Sequence, residues 1–158
     1  MSAILLPHGA AERNDPAAAE ALLPLQGGMR TTERVKIDGW NINKGTALMV
    51  AAVRGHTGVA RLLVEREGGM SDSRGWTALM YAAGNGHTGV ARLLLEKEGG
   101  MSDRDGWTAL MRAALNGHTD CARLLLEKEK HMRNKWGATA LDIAKRNNRP
   151  SVVSLLSE

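Results

Sequence analysis

Phenylalanine is absent from this 158-residue chain, and aromatic residues together make up 3% of it. A core must therefore be built from Ala, Leu, Val and Met, which suits closely packed helices. Cysteine occurs once, as Cys121, which excludes an internal disulfide framework and is compatible with a reducing compartment. Long hydrophobic runs are also missing near the start, where the apolar run covers only residues 3–6. We therefore expect neither a secretory signal nor a membrane span.

What the sequence does contain is a unit that returns every 31 residues. The segments 55–72, 86–103 and 117–134 align without a gap, and a threonine and a histidine recur in register. These positions are Thr46, Thr77, Thr108 and Thr139, and His56, His87 and His118. A period of this size is typical of a stacked repeat protein, in which each unit contacts only its neighbours.

The first part of a unit, T-A-L-M-x-A-A-x-x-G-H, predicts a short helix. Thr77 is placed to act as N-cap, and Gly86 can take the left-handed conformation that ends a helix. Between them, Leu79, Ala82 and Ala83 form one apolar stripe, and the small Ala pair allows close packing of a neighbouring helix.

The second part of a unit, T-G-V-A-R-L-L-L-E-K-E-G-G, predicts a second helix with Val90, Leu93 and Leu94 on one face. The Gly99-Gly100 pair ends it. The remaining M-S-D-R-D-G-W is short and rich in turn residues, so we expect it to cross to the next unit as a tight loop or hairpin.

These residues identify a resemblance to ankyrin repeats, whose pattern is D-x-x-G-x-T-P-L-H-x-A-A-x-x-G-H-x-x-V-x-x-L-L-L-x-x-G. One unit meets it at Asp72, Gly75, Thr77, Leu79, Ala82, Ala83, Gly86, His87, Val90, Leu93, Leu94 and Leu95, and the next unit meets it at most of the same offsets. Ala78 and Met80 replace the family's Pro and His, and the unit is about two residues shorter than usual. The resemblance implies an all-α solenoid with shortened hairpin fingers. The T-A-L-M and E-K-E-G-G-M motifs are similar to arrays of parasitic protists, found alone or behind NIMA-related kinase domains.

The ends of the chain depart from the period, so we predict about five layers with imperfect first and last units. Residues 1–28 are interpreted as a degenerate first repeat and residues 29–44 as an insertion, with a projecting hairpin that turns at Asp38-Gly39. Full repeats are expected over 45–70, 71–101 and 102–132, and a capping repeat with a polar outer face over 133–158.

Net charge is concentrated in the last repeat. Residues 1–129 hold 15 basic and 15 acidic residues, whereas residues 130–158 hold six and two. The basic residues there are Lys130, Arg133, Lys135, Lys145, Arg146 and Arg149. They form either a patch for an acidic partner or a solubilising cap. Because the patch lacks interleaved aromatics, nucleic acid is not expected as a partner.

Two groups of residues suggest chemistry at first sight. His56, His87 and His118 could be considered a metal set, but the repeat separates them by roughly 10 Å, whereas zinc ligands lie about 2 Å from one centre. We expect them to bond backbone groups instead, as in the family, and expect no metal or cofactor. Cys121 occupies the core position of Val59 and Val90, which favours an inert buried thiol over a nucleophile.

The remaining candidate site is the surface that varies between units. We expect a position filled by Val50, Tyr81, Arg112 and Ile143 not to be fully buried in every unit. In the family, partners contact such positions on the first helices and the loop tips. The predicted partner-binding residues are Arg54, Ser73, Arg74, Trp76, Tyr81, Asn85, Arg104, Asp105, Trp107, Arg112, Asn116, Trp136 and Arg146. Trp76 and Trp107 are interpreted as either finger packing or binding anchors.

The predicted function is a non-catalytic scaffold that binds a protein or peptide through the concave groove of the first helices and the loop tips. We expect it to be cytoplasmic and monomeric and to have no membrane partner. Replacement of Tyr81 or Arg112 by Ala is expected to leave folding nearly intact. The alternatives are a regulatory subunit acting with a kinase in trans, and an enzyme with an unrecognised site.

Overall fold

The computed structural model describes residues 11–13, residue 30 and residues 34–158. The predicted degenerate first repeat therefore lies outside the described residues, apart from helical residues 11–13. Two strands, β1 (Arg34–Ile37) and β2 (Trp40–Asn43), precede four helix pairs. The pairs are α1 (Ala47–Arg54) with α2 (Thr57–Glu67), α3 (Ala78–Asn85) with α4 (Thr88–Glu98), α5 (Ala109–Asn116) with α6 (Thr119–Glu129), and α7 (Ala140–Arg146) with α8 (Pro150–Leu156).

The first helix of each pair begins and ends where local sequence dictates. The Thr77 side chain accepts a hydrogen bond from the amide of Met80, which satisfies one of the orphan donors at the helix start. Gly86 ends α3 with φ 75°, a left-handed conformation that costs other residues more. Thr46 and Thr108 cap α1 and α5 in the same way, so the repeated sequence produces repeated helix ends.

The helix pairs stack in two layers, which confirms the ankyrin-like solenoid predicted from the sequence. First helices pack on first helices and second helices on second helices, so each unit contacts its neighbours. The second helices turn a leucine inward at the same position of each unit, and Leu63, Leu94 and Leu125 are fully buried. Arg92 and Glu96, on the other face of α4, are exposed.

The loops between helix pairs, residues 68–77, 99–108 and 130–139, form short fingers that bond to one another. The first two are each closed by a single bridge, Ser71 with Thr77 and Ser102 with Thr108, rather than by extended strands. The tip of the first finger donates one backbone hydrogen bond to the end of β2, and the tip of each later finger donates one to the tip before it. These bonds join the amide of Ser73 to the carbonyl of Asn43, Arg104 to Arg74, and Lys135 to Asp105, at 2.9, 3.3 and 2.9 Å. The fingers therefore lie side by side along one edge of the stack.

The insertion contains the hairpin, with β1 and β2 antiparallel and Ile37 paired with Trp40. Its two-residue turn has positive φ at both positions, 50° at Asp38 and 86° at Gly39. An Asp-Gly pair suits this turn because both residues tolerate positive φ at low cost. Ile37 and Ile42 are buried, so one face of the hairpin packs on the stack rather than projecting into solvent.

Buried glutamates join neighbouring units. One carboxylate oxygen of Glu98 accepts from the amide of Leu79 at the start of α3, and the other accepts from the amide of Gly69 in the preceding unit. Glu129 repeats the arrangement with Leu110 and Gly100. Burial raises the pKa of Glu98 to about 7 and also raises the pKa of Glu129. These residues satisfy helix ends that the stack removes from water.

The last unit carries charges where inner units carry packing residues. Asp142 stands where Met111 is fully buried, and Lys145 stands where Ala114 is fully buried. Asp142 accepts from the backbone amide of Thr139 to complete a capping box, and Lys145 is exposed. The outward face of this unit is therefore polar, as expected for a capping unit.

Candidate protein-binding surface

The groove, which we define as the surface of α1, α3, α5 and α7 beside the fingers, is covered over its first half by the β1–β2 hairpin. Trp40 lies edge-on to Trp76 and Tyr81, with ring centroids 5.4 and 5.6 Å apart, and its Nε1 donates to Asn85 Oδ1 at 2.9 Å. Every residue of α1 from Ala47 to Val53 is buried, as is every residue of α3 from Ala78 to Gly84. The first half of the groove is thus occupied by the chain itself.

Gly84 provides the space for Trp40. A Cβ atom built on Gly84 would lie 3.0 Å from Cη2 and 3.4 Å from Cζ2 of the indole ring. The equivalent positions of the neighbouring units hold larger residues, Val53 and Leu115. Glycine in a helix is unfavourable by roughly 0.5–1 kcal/mol relative to alanine, so its presence here is explained by the ring packed against it.

Tyr81 is buried, and the prediction that it lines an accessible surface is wrong. Its side chain is fully enclosed, and its hydroxyl donates to Asp72 Oδ2 at 2.5 Å. Burial, reinforced by the Asp72 carboxylate, raises the pKa of Tyr81. For the same reason we expect Tyr81→Ala to destabilise the fold, in place of the sequence-based expectation that folding would stay nearly intact. Val50 and Ile143, at equivalent positions, are buried as well.

Arg112 takes the place of Tyr81 in the next unit and is held between two indole rings. Its guanidinium carbon lies 3.8 Å from the ring centroid of Trp76 and 4.5 Å from that of Trp107, and Nη2 pairs with Asp103 Oδ2 at 2.7 Å. The side chain is only 15% exposed. Arg112 therefore contributes to packing, contrary to the expectation that Arg112→Ala would be neutral for folding.

The two tryptophans with open interpretations differ in exposure. Trp76 is 8% exposed and contacts Trp40, Tyr81 and Arg112, so it packs the finger and has little surface to offer a partner. Trp107 is half-buried, and its role as packing residue or anchor stays open.

The remaining predicted residues are a set bonded within the chain and a set along the fingers and α7, of which Arg74 and Asp105 are also paired, with Asp72 and Lys135. Arg54 pairs with Glu12 and Asp38. Asn85 accepts from Trp40. Asn116 donates from Nδ2 to the carbonyl of Gly84. Half-buried or exposed positions along the fingers and α7 are Ser73, Arg74, Arg104, Asp105, Trp136 and Arg146. Trp136 is 65% exposed and is the one large hydrophobic side chain with this exposure among the described residues.

The uncovered half of the groove is the surface over α5 and α7 with the last two fingers. Leu115, over which no described residue lies as Trp40 lies over Gly84, is half-buried there, next to Asn116. Trp107 and Trp136 lie in the fingers that border it. This surface combines aromatic and aliphatic side chains with polar groups, which is the composition of protein-binding surfaces.

The recurring histidines join units through the backbone. His87 Nε2 lies 2.9 Å from the carbonyl of Val53, and His118 Nε2 lies 3.1 Å from the carbonyl of Gly84, both in the preceding unit. Arg149 replaces the histidine in the last unit, and its Nε donates to the equivalent carbonyl of Leu115 at 2.9 Å. The expected structural role is confirmed. Among the described residues, no cluster of His, Cys, Asp or Glu has the geometry to hold a metal.

Cys121 is fully buried, with Sγ 3.5 Å from Thr88 Oγ1. Burial raises the pKa of its thiol, which lowers the fraction of reactive thiolate. The prediction of an inert core thiol agrees with this environment.

The basic residues of the last repeat are mostly engaged within the chain. Lys130 donates to the carbonyl of Glu158, and Arg133 donates to that of Gly137. Lys135 pairs with Asp105, and Arg149 bonds Leu115. This leaves Lys145 and Arg146, which are exposed, so the six basic residues do not act as one patch of free cations.

Sequence reasoning missed Trp40, Gly84 and the buried glutamates. The signal for the packing of Trp40 on α3 was Gly84 itself, since a glycine inside an otherwise regular helix indicates close approach of another group. The signal for the glutamates was their recurrence at 67, 98 and 129, immediately before each turn or loop.

The sequence profile of ankyrin repeats, in three copies, matches residues 8–100 and 97–158. No curated protein matches the chain. In the part of the chain described by the structure, none of the helices combines the length and apolarity that a membrane crossing requires.

Proposed function

Because the chain belongs to the ankyrin repeat family, whose repeats generally mediate protein–protein interaction, we propose that it is a non-catalytic scaffold that binds a partner protein. The partner contacts the uncovered half of the groove, over α5 and α7, together with the finger tips. The first half is not available, since the hairpin and Trp40 fill it. The regulatory and enzymatic alternatives stay hypotheses from the sequence.

The exposure of Trp136 carries this proposal. An indole that is 65% exposed leaves a large apolar area in water, and such area is removed favourably when a partner covers it. Its ring lies 4.5 Å from Lys135 Nζ, so an anchor and a cation stand together at the finger tip. Trp107, Leu115 and Asn116 continue the surface toward the covered half.

The test is a pull-down from source cells with immobilised parent protein and two variants, followed by identification of the retained proteins. Trp136→Ala removes the exposed ring, while the amide of residue 136 can still bond Asn134 Oδ1. Glu96→Ala, on the exposed face of α4, is the control. We expect a partner retained by the parent and by Glu96→Ala and lost by about tenfold or more with Trp136→Ala, as for an interface anchor. Loss with Glu96→Ala and retention with Trp136→Ala would place the partner on the second helices instead.

A further inference from the structure

The finger tips form a continuous row because each bonds the one before it. We define the finger ridge as four basic residues, Arg34 of β1 and Arg74, Arg104 and Lys135 of the fingers, with Asp105 and Trp136. Arg34 and Arg74 line one cleft of about 250 Å³ together with Asn41, Asn43 and Ser73. The bond from Arg104 to Arg74 continues the row, and the bond from Lys135 to Asp105 completes it.

The basic side chains of the ridge point outward, whereas most of its acidic side chains point inward. Arg34 and Arg104 are exposed, and the side chains of Arg74 and Lys135 are 46% and 52% exposed. In contrast, Asp72 and Asp103 are buried. Asp72 accepts from the amides of Arg74 and Trp76 and from Tyr81, and its Oδ2 also lies 4.0 Å from Arg74 Nη2. Asp103 makes the equivalent loop bonds and pairs with Arg112.

The ridge and the side chains beneath it carry a net positive charge, because five cations, Arg34, Arg74, Arg104, Arg112 and Lys135, stand against three acids, Asp72, Asp103 and Asp105. All of these cations except Arg112 reach solvent, whereas Asp72 and Asp103 are enclosed, so a ligand approaching from water meets the cations first. Asp105 is the one exposed acid of the ridge, and Lys135 neutralises it. The exposed face of the second helices differs, because acids such as Glu65 and Asp120 stand beside cations there and pair with Lys97 and Arg123.

The spacing of the ridge selects the form of the partner. Successive units are separated by roughly 10 Å, the distance of packed helices. A chain in the extended polyproline II conformation advances about 3.1 Å per residue with three residues per turn, so every third side chain lies on the same face and spans about one unit. Acidic side chains at this interval can meet Arg74, Arg104 and Lys135 in turn, and an apolar residue beyond them can reach Trp136.

We propose that the finger ridge binds an extended acidic segment of the partner protein, with carboxylates at about every third residue. The proposal rests on the proposed protein-binding function and names the chemistry of the ligand for the same edge of the molecule. Its basis is charge complementarity along a row of exposed cations whose neighbouring acids are buried.

The test uses a fluorescein-labelled peptide of four Glu-Ser-Gly units and a matched Gln-Ser-Gly peptide, with binding measured by fluorescence anisotropy at low salt. Protein concentrations up to about 1 mM are needed, because exposed ion pairs each contribute little. We expect binding of the Glu peptide that weakens as salt rises, and at least tenfold weaker binding of the Gln peptide. Equal binding of both peptides, or no binding of the Glu peptide, would overturn the proposal.

Charge reversal locates the site. Arg104→Glu changes a side chain that makes no hydrogen bond or ion pair within the described part of the chain, so the fold is expected to persist. Arg92→Glu makes the same charge change on the exposed face of α4. We expect about fivefold weaker binding for Arg104→Glu, near the upper range for one exposed pair, and less than twofold for Arg92→Glu. Equal losses would show that net charge alone acts and would refute the ridge.

Two further measurements separate this inference from its alternatives. A 12-nucleotide single-stranded oligonucleotide that binds more tightly than the Glu peptide, with the same loss for Arg104→Glu, would refute an acidic protein segment as the ligand. In the pull-down, a partner lost with Trp136→Ala but kept with Arg104→Glu would refute the acidic ligand while leaving the protein-binding function intact.

Discussion

Gly84→Ala is expected to destabilise the parent protein and to stabilise the Trp40→Ala variant. In the parent, the new methyl group would lie 3.0 Å from the indole of Trp40. The ring has little room to move, because it contacts Trp76 and Tyr81 and donates to Asn85. In Trp40→Ala the ring is gone, and only the preference of a helix for alanine over glycine remains.

The size of the effect follows from these contacts. Forcing a methyl group into a packed site costs about 1–3 kcal/mol, and replacing a helical glycine by alanine gains about 0.5–1 kcal/mol. The free energy of unfolding of the parent should therefore fall by about 1 kcal/mol. In Trp40→Ala, the same change should raise it by about 0.5–1 kcal/mol, which gives a coupling free energy of about 2 kcal/mol.

The assay is urea denaturation followed by far-UV circular dichroism, since loss of an indole would alter a fluorescence signal. Trp40→Ala alone should cost about 2–3 kcal/mol, less than a fully buried tryptophan because Trp40 is half-buried. The parent, the two single variants and the double variant should share one dependence of the free energy of unfolding on urea concentration, so that a shift in midpoint reports a change in stability.

The matched control is Leu115→Ala, the equivalent position one unit further on, in both backgrounds. Leu115→Ala should lower the free energy of unfolding by the same amount with and without Trp40, because Leu115 lies in the half of the groove that the hairpin does not reach. Equal effects of Gly84→Ala in the two backgrounds would refute the packing of Trp40 against Gly84, and with it the covered first half of the groove.

Three further outcomes test the interior. Leu94→Ala should lower the free energy of unfolding by about 2–5 kcal/mol, because it leaves a cavity where the side chain is fully buried; the exposed Glu96→Ala should leave the denaturation midpoint unchanged. Tyr81→Phe should cost about 1–3 kcal/mol, because it leaves buried Asp72 Oδ2 without its donor, and a midpoint equal to the parent's would contradict that hydrogen bond. The pKa of Glu98 rises from 4.5 to about 7 on folding, so the folded state binds more protons than the unfolded state between these two pH values. The contribution of Glu98 to stability is therefore present below pH 4.5 and is lost as pH rises through 7. Unfolding titrations should show about 2–3 kcal/mol less stability from this group at pH 8 than at pH 5, and Glu98→Gln should abolish that difference.

Variation between units misled the surface prediction, although the units themselves contained a corrective signal. The variable position of the first helix is the one filled by Val50, Tyr81, Arg112 and Ile143. An Asp or an Asn stands nine residues before it, and the residue is Asp where the variable position holds a polar side chain. The four pairs are Asn41 with Val50, Asp72 with Tyr81, Asp103 with Arg112, and Asn134 with Ile143. In the structure each acid bonds its polar partner, whereas Asn134 bonds only the loop amides of Trp136 and Ala138 within the described residues. The variable residues are therefore matched to buried neighbours and are not free to vary.

Local sequence by itself determined the repeat period, the ends of the helices and the inward face of α4. Thr77, Gly86 and Leu94 act through neighbours a few residues away or through the same position one unit on, and the period repeats these interactions. Cys121 was placed correctly because it shares a core position with Val90. Such inferences need only the helical register and the stacking of like on like.

Tertiary structure alone decided which half of the groove is open and which charges reach solvent. Trp40 and Gly84 are far apart in the chain; Gly84 signals that some group approaches α3, but nothing local indicates that this group is Trp40 of the hairpin. The burial of Asp72 and Asp103 likewise depends on partners in the next helix, Tyr81 and Arg112, so charge balance in the sequence becomes a basic ridge on the surface. Exposure is a property of contacts between distant residues, and it is exposure that defines where a partner can bind.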